Sequence, residues 1–344
     1  MALAACSDIE VHACIDDLLG DGSYRFFSQG YKSTNPQLHD LRVTHTASES
    51  TLSAHASLAM KGLWSVKGQS EQTPHLGTTD VLVLACKMAE ALLASRYSPE
   101  ILIGAYLKSV SISGGSEPVE GTLDRLDCLA RVQGAANGSS SVLSCSVASM
   151  TATIEVIHSS FEQELLAVRS SSEEDLVGAA GTRLYGDLWA DRHVSLKDVR
   201  LSAQEGTVHA QLSFRHQTPW SQGIDRRGLE AAYPHGLSAI EYFVATLQLG
   251  QVLLYRFDSL ARADSNTLWM RKTRMALSRP THRRAGEPGI GLGVHLRNNR
   301  VIEKDGGSWR CADVVGTFDD GEVVCSVTHR LPARRDLQAQ GVER

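Results

Sequence analysis

A chain of 344 residues with 42% hydrophobic and 21% charged side chains is long enough for one large unit or two domains with a real core. Its formal net charge of -5 is spread without long runs, so it lacks the basic stripe a phosphate backbone requires, and no nucleic acid partner is expected. No apolar run approaches the roughly 20 residues needed to span a bilayer, and Met1 to Gly20 lacks the basic start of a signal peptide; a soluble, cytoplasmic protein without membrane contact is expected.

The ends, Met1 to about Asp16 and Arg334 to Arg344, read as peripheral. The first strong signal is alternation: Asp40-Leu41-Arg42-Val43-Thr44, then Thr51 to Leu58 with apolar residues two apart, which predicts a β-hairpin turning at Ala47 to Ser50. A polar loop ending in Pro74-His75 leads into Asp80 to Ser95, too long for a strand and free of proline, hence a helix. Leu107 to Ser111, Leu126 to Val132 and Ser140 to Ile157 read as strands, the last two separated by the turn Gly134 to Gly138. Arg169 to Gly181 is polar and reads as a linker that can also cap a short helix.

The second half repeats the first. Asp198-Val199-Arg200-Leu201-Ser202 and Thr207 to Phe214 form a second hairpin about Ala203 to Gly206, Pro234-His235 precedes the helical segment Glu241 to Arg256, and Leu268 to Lys272, Gly291 to Asn298, Trp309 to Thr317 and Glu322 to Leu331 read as strands. Asp80 and Glu241 are 161 residues apart, and that offset superposes Val83 on Val244, Met88 on Leu249 and Leu92 on Leu253. Both helices are apolar over most of their circumference, the mark of a helix enclosed by other structure. The expected class is α+β: a tandem hot-dog fold, two curved antiparallel sheets each wrapping a central helix, as domains 15-168 and 178-333. Sheet edges that pair within one chain would permit a monomer; a homodimer is the other expectation.

Chemistry in such a fold is expected beside a helix N-terminus, whose free N–H groups and dipole polarise a carbonyl. His75 with Asp80, and His235 with Glu241, supply an imidazole and a carboxylate at equivalent places and are the candidate catalytic residues. Asp80 and Glu241 are equally well placed as helix caps. Lys87 and Gln248 sit mid-helix, where they either line a cleft or extend their polar ends outward. Trp269 and Arg271 share a strand face by period two, and with Arg227 and Gln248 they are candidate substrate-binding residues. Seven scattered cysteines without a Cys-x-x-Cys pair predict buried thiols, no disulfide framework and no metal site. Gly289 to Gly293 lacks the strand-turn-helix context of a dinucleotide site and reads as a glycine-rich turn, so no cofactor is expected.

Gln251 to Arg256 with Thr267 to Lys272, Pro74 to Leu76 before Thr79 to Val83, and the aromatic segment Ser23 to Tyr31 together resemble the avirulence D (AvrD) proteins of plant-pathogenic bacteria, over about residues 15 to 333. The resemblance implies a double hot-dog enzyme related in style to the A-factor biosynthesis (AfsA) proteins, acylating a ketose such as xylulose to give syringolide-like or butenolide-like products. It thereby implies an acyl carrier protein or coenzyme A thioester as donor and a small sugar or polyol as acceptor. The readings are an acyltransferase using a β-ketoacyl thioester, a dehydratase or thioesterase on the same fold, or a non-enzymatic module that binds an acyl lactone.

Overall fold

The structure, a computed structural model, describes residues 9–46, 48–133, 138–159, 172–202, 204–217, 226–281 and 289–332. Ile9–Cys14 (β1) passes through the short helix Asp16–Leu19 (α1) to a hairpin, Thr34–His45 (β2) and Glu49–Met60 (β3). A small ribbon, Val66–Lys67 (β4) with Ser70–Glu71 (β5), precedes the helix Thr78–Arg96 (α2). Tyr106–Ser113 (β6), Leu126–Gln133 (β7), Ser140–Val147 (β8) and Met150–Ile157 (β9) complete this half. The helix Glu173–Val177 (α3) leads to Arg192–Ser202 (β10), Thr207–His216 (β11) and the helix Ala239–Phe257 (α4), then Trp269–Leu277 (β12), Ile290–Lys304 (β13), Gly307–Phe318 (β14) and Gly321–Arg330 (β15).

The duplication extends to backbone detail. β2 slips register against β3 between His39 and Arg42, and β10 against β11 between Lys197 and Arg200. At these bulges Asp40 and Asp198 take φ of 55° and 50°, a left-handed conformation that aspartate tolerates better than branched residues do. Both long helices span 19 residues, beginning at Thr78 and Ala239. The offset does not stay constant: the strand that follows each helix is irregular around Lys108 in β6 and around Arg271 in β12, so these two correspond, 163 residues apart. The segment between α4 and β12 is longer by two residues, which preserves the inward face because two is the strand period.

Among the described residues one large sheet stands in place of the expected two, apart from the β4–β5 ribbon. Thirteen strands run β1-β10-β11-β13-β14-β15-β12-β6-β9-β8-β7-β3-β2, open at both edges. The halves join where β12 pairs antiparallel with β6, Lys272 opposite Ser113 through Ala276 opposite Ser109. Each half would otherwise leave a row of unpaired N–H and C=O groups at this edge, and pairing them satisfies both. Each helix packs on the strands of its own half, and every residue of Thr78–Ala94 and Ala239–Tyr255 is buried.

Three expectations change. The N-terminal segment is not wholly peripheral, since β1 pairs with β10 and Ile15 and Leu19 enter the core. The Gly289 to Gly293 run opens β13, where His209 of β11 lies opposite Gly293, and a β-carbon on Gly293 would stand 3.0 Å from that imidazole. Lys87 neither lines the cleft described below nor reaches solvent: it is buried, 3.4 Å from Glu173. Residues 1–8, 160–171 and 333–344, and the turn residues Ala47, 134–137 and Ala203, lie outside the described residues.

Glu173 belongs to a buried ionic network that fixes the segment between the halves to α2. Arg183 is 2.5 Å from both Glu90 and Glu173 and donates from Nε to the Gly178 carbonyl, while Glu90 also accepts the Leu229 N–H. Beside it, buried Glu230 adopts a left-handed φ of 61° and accepts from the Leu107 N–H and the Tyr185 hydroxyl. Burial raises its carboxyl to a pKa of about 7. A raised carboxyl pKa means the fold binds the proton more tightly than the unfolded chain, so this stabilisation is complete below the ordinary glutamate value and lost as pH rises through 7. The difference in unfolding free energy between wild type and Glu230→Gln is therefore expected to change by about 2.5 kcal/mol between pH 5 and pH 8, to the variant's advantage at high pH. Urea denaturation of both proteins at the two pH values checks this, and parallel pH profiles contradict it.

Candidate functional site

Where the halves meet, a cleft of about 1090 Å³ opens. One wall is the approach to α2: Trp64, His75, Leu76, Gly77 and Thr78. The other is the start of β12, Thr267 to Arg271, with Gln251 of α4 and Cys311 and Thr328 of β14 and β15. An aromatic series lines it with ring centroids 5.1 Å (Phe27 to Phe26), 4.6 Å (Phe26 to Trp64), 5.3 Å (Trp64 to His75) and 5.1 Å (His75 to Trp269) apart, and the core residue Phe243 backs Phe27 at 6.0 Å. The aromatic segment of the sequence thus becomes wall material. Gly30 is fixed in this arrangement, because a β-carbon there would overlap the Trp64 carbonyl.

His75 is half-buried and held on both sides of its ring. The backbone is pinned as well: Leu76 donates to the Val119 carbonyl at 2.9 Å, and His75 bridges to Glu120. Its Nδ1 lies 3.1 Å from the Thr73 carbonyl, an acceptor only, so Nδ1 carries the hydrogen. In the neutral ring Nε2 then holds the lone pair. Burial lowers the imidazole pKa against smaller raising effects of that hydrogen bond and of Glu120, so the ring is neutral at neutral pH. A neutral imidazole with an oriented lone pair, beside the positive end of a helix dipole, can take a proton from a bound hydroxyl or water.

The other candidates are placed differently. Asp80 lies behind this wall, 2% exposed, accepting the Gly77 N–H at 2.9 Å and the Thr34 hydroxyl at 2.6 Å, its pKa raised by burial to about 6. It is the helix cap that its position equally suggested. Glu241 caps α4 in the same way, accepting from the Ser238 N–H and hydroxyl, with Arg192 Nε 3.1 Å away. That buried guanidinium also donates to the Gly236 carbonyl and stacks over Phe214, which closes the N-terminus of α4 from within the protein. His235 is exposed on the adjacent turn and Arg227 is exposed beside Thr182, and neither lines the cleft. The His-plus-carboxylate pairings proposed from sequence are therefore not assembled at either helix.

Trp269 and Arg271 do reach His75's cleft. Gln248 does not. One helical turn further on, Gln251 occupies the position expected of it: 7% exposed, its Nε2 donating to the Tyr255 hydroxyl at 3.1 Å. Its Oε1 has no hydrogen-bond partner among the described residues and can accept from a bound hydroxyl. Phe26, Trp64 and Gln251 carry no local signal of this role, because what makes them neighbours is the seam. Among the described residues no group of three or more His, Cys, Asp or Glu is arranged to hold a metal ion, and no helix is long and apolar enough to cross a membrane.

Fold and site together define a duplicated helix-on-sheet protein with an imidazole-bearing cleft between its halves. The chain belongs to the AvrD family, matching the Pseudomonas avirulence D protein (AvrD) over residues 10–332. No curated protein sequence matches it. Similar solved structures include a conserved hot-dog-fold protein of unknown function from Alicyclobacillus acidocaldarius (12% identity, 85% of this chain and 96% of that one, TM-score 0.37). Others are the dehydratase domain of PpsC from Mycobacterium tuberculosis in complex with C12:1-CoA (12%, 86% and 98%, 0.38) and the dehydratase domain from the CurF module of curacin polyketide synthase (11%, 84% and 95%, 0.38).

Proposed function

We propose that this protein is a cytoplasmic acyltransferase on a tandem hot-dog scaffold, with units 15-168 and 178-333, that joins a β-ketoacyl thioester to a small ketose or polyol such as xylulose. The observation that carries the reading is His75: a neutral imidazole with its lone pair on Nε2, in a large, partly apolar cleft at the open N-terminus of α2. The acyl chain lies along Phe26, Trp64 and Met270, and its thioester carbonyl lies against Gly77 and Thr78, where the helix dipole stabilises the oxyanion. Nε2 takes the proton from an acceptor hydroxyl whose oxygen bonds to the carbonyl carbon. The carbon–sulfur bond then breaks, and the imidazolium returns the proton to the departing thiolate. Gln251 Oε1 and Arg271 orient the acceptor.

Incubating the protein with a β-ketoacyl thioester, with and without xylulose or dihydroxyacetone, tests this. Thiol release is expected to depend on the polyol and to be matched by ester formation. Release at the same rate without polyol identifies a thioesterase, loss of water from a β-hydroxyacyl thioester identifies a dehydratase, and tight acyl-lactone binding with no turnover identifies a binding module. Each of these overturns the transferase reading.

A further inference from the structure

Two positive side chains at the edge of the cleft, one from each half, are unaccounted for by the chemistry at His75. Lys67 comes from the β4–β5 ribbon and Arg262 from the turn Arg262–Asp264 after α4, against which β4 packs. Both line the cleft and both are half-buried. Each is held from across the seam by a neutral acceptor: Lys67 Nζ donates to the Asn266 carbonyl, and Arg262 Nη2 to the Tyr24 carbonyl at 2.8 Å. Neither pairs with a carboxylate among the described residues.

The two cations line one cleft from elements that pack on each other, so burying both there is costly, and a backbone carbonyl orients each without neutralising it. The strain registers on the lysine, whose pKa falls to about 8, chiefly through burial and further through Arg262. An anion between them would remove the repulsion. Among the described residues Lys67 keeps two ammonium hydrogens and Arg262 several guanidinium hydrogens uncommitted, enough to bind two or three oxygens of one tetrahedral anion.

We propose that Lys67 and Arg262 form a phosphate subsite that receives the 4′-phosphate of the pantetheine arm of the thioester donor. This rests on the acyl-thioester reading above and extends it. The arm enters past Lys67 and Arg262 and its sulfur end reaches His75, so the acyl group meets the base from the aromatic side of the cleft. The 4′-phosphate is common to coenzyme A and to a carrier protein's prosthetic group, so the subsite serves either donor.

The test uses the intact protein and three donors with one acyl chain: acyl-pantetheine, acyl-4′-phosphopantetheine and acyl-coenzyme A. Wild type is expected to favour the two phosphorylated donors in kcat/KM by roughly 10- to 100-fold, the range of one or two hydrogen bonds to a charged group. In Lys67→Met/Arg262→Met that preference, read as the ratio of phosphorylated to unphosphorylated donor within the variant, disappears, and in Lys67→Arg it is retained. Calorimetric binding of 4′-phosphopantetheine itself needs no turnover: wild type binds it more tightly than pantetheine, with proton uptake near pH 8, and the double variant binds both alike. If the chemistry at His75 fails but this binding difference holds, the subsite stands without the transferase. Equal wild-type binding of pantetheine and its phosphate, equal losses for all donors in the double variant, or an effect confined to phosphorylated acceptors overturns the subsite.

Discussion

Replacing His75 with glutamine is expected to lower kcat/KM for acyl transfer about 10²- to 10⁴-fold, the contribution of a positioned general base, while thioester binding changes little. Glutamine preserves a polar group between Trp64 and Trp269 and removes only the capacity to take and return a proton. The wild-type pH profile supplies a second reading. Burial holds the imidazole below its ordinary value, so kcat/KM should rise with pH through an apparent pKa below 6.5 and be level at neutral pH. His235→Gln is the control: it lies on an exposed turn outside the cleft and should leave the rate within about twofold. A loss confined to His235→Gln would return the site to the second helix. A rising limb above pH 7 would point to a different base.

The contrast between these histidines shows what the sequence made legible. The repeat revealed itself through apolar spacing, because strands and enclosed helices must match their burial to their period, and it pointed to both helix entrances. It could not say which was open. That depends on Arg192, far from His235 in sequence, whose guanidinium fills the entrance to α4 and pairs with Glu241. At the entrance to α2 the corresponding carboxylate, Asp80, bonds Thr34 instead, and the space in front is left to His75 and the aromatic walls.

The junction of the two halves was hidden for a related reason. The ladder between β6 and β12 uses backbone groups, and Ser109, Ser111, Lys272 and Arg274 look like any solvent-facing strand residues. Period-two alternation says which face is buried and is silent about which edge is paired. The cleft inherits that silence. Its walls belong to segments separated by nearly the whole chain, so Gln251 and Trp64 had no local pattern to mark them, whereas His75 and Trp269 stood beside recognisable element boundaries.

Because the cleft lies between the halves, the contacts that fix the segment joining them should be expensive to break. Arg183→Met is expected to destabilise the protein by about 3–5 kcal/mol, the cost of leaving a buried charge without its partner. Arg183 is wholly buried, and burial alone would weaken its charge; Glu90 and Glu173 outweigh that and raise its pKa. Remove the guanidinium and Glu90, itself fully buried, keeps only the Leu229 N–H among the described residues, while Glu173 keeps Lys87. Glu90→Gln in the Arg183→Met background should recover part of the loss, since the amide oxygen still accepts from Leu229 and no charge remains at that position. Denaturant unfolding of wild type, both single variants and the double variant closes the cycle. Additive effects would mean that the two groups stabilise the fold independently. A loss in the single arginine variant that the double variant partly reverses identifies an uncompensated carboxylate as its cause.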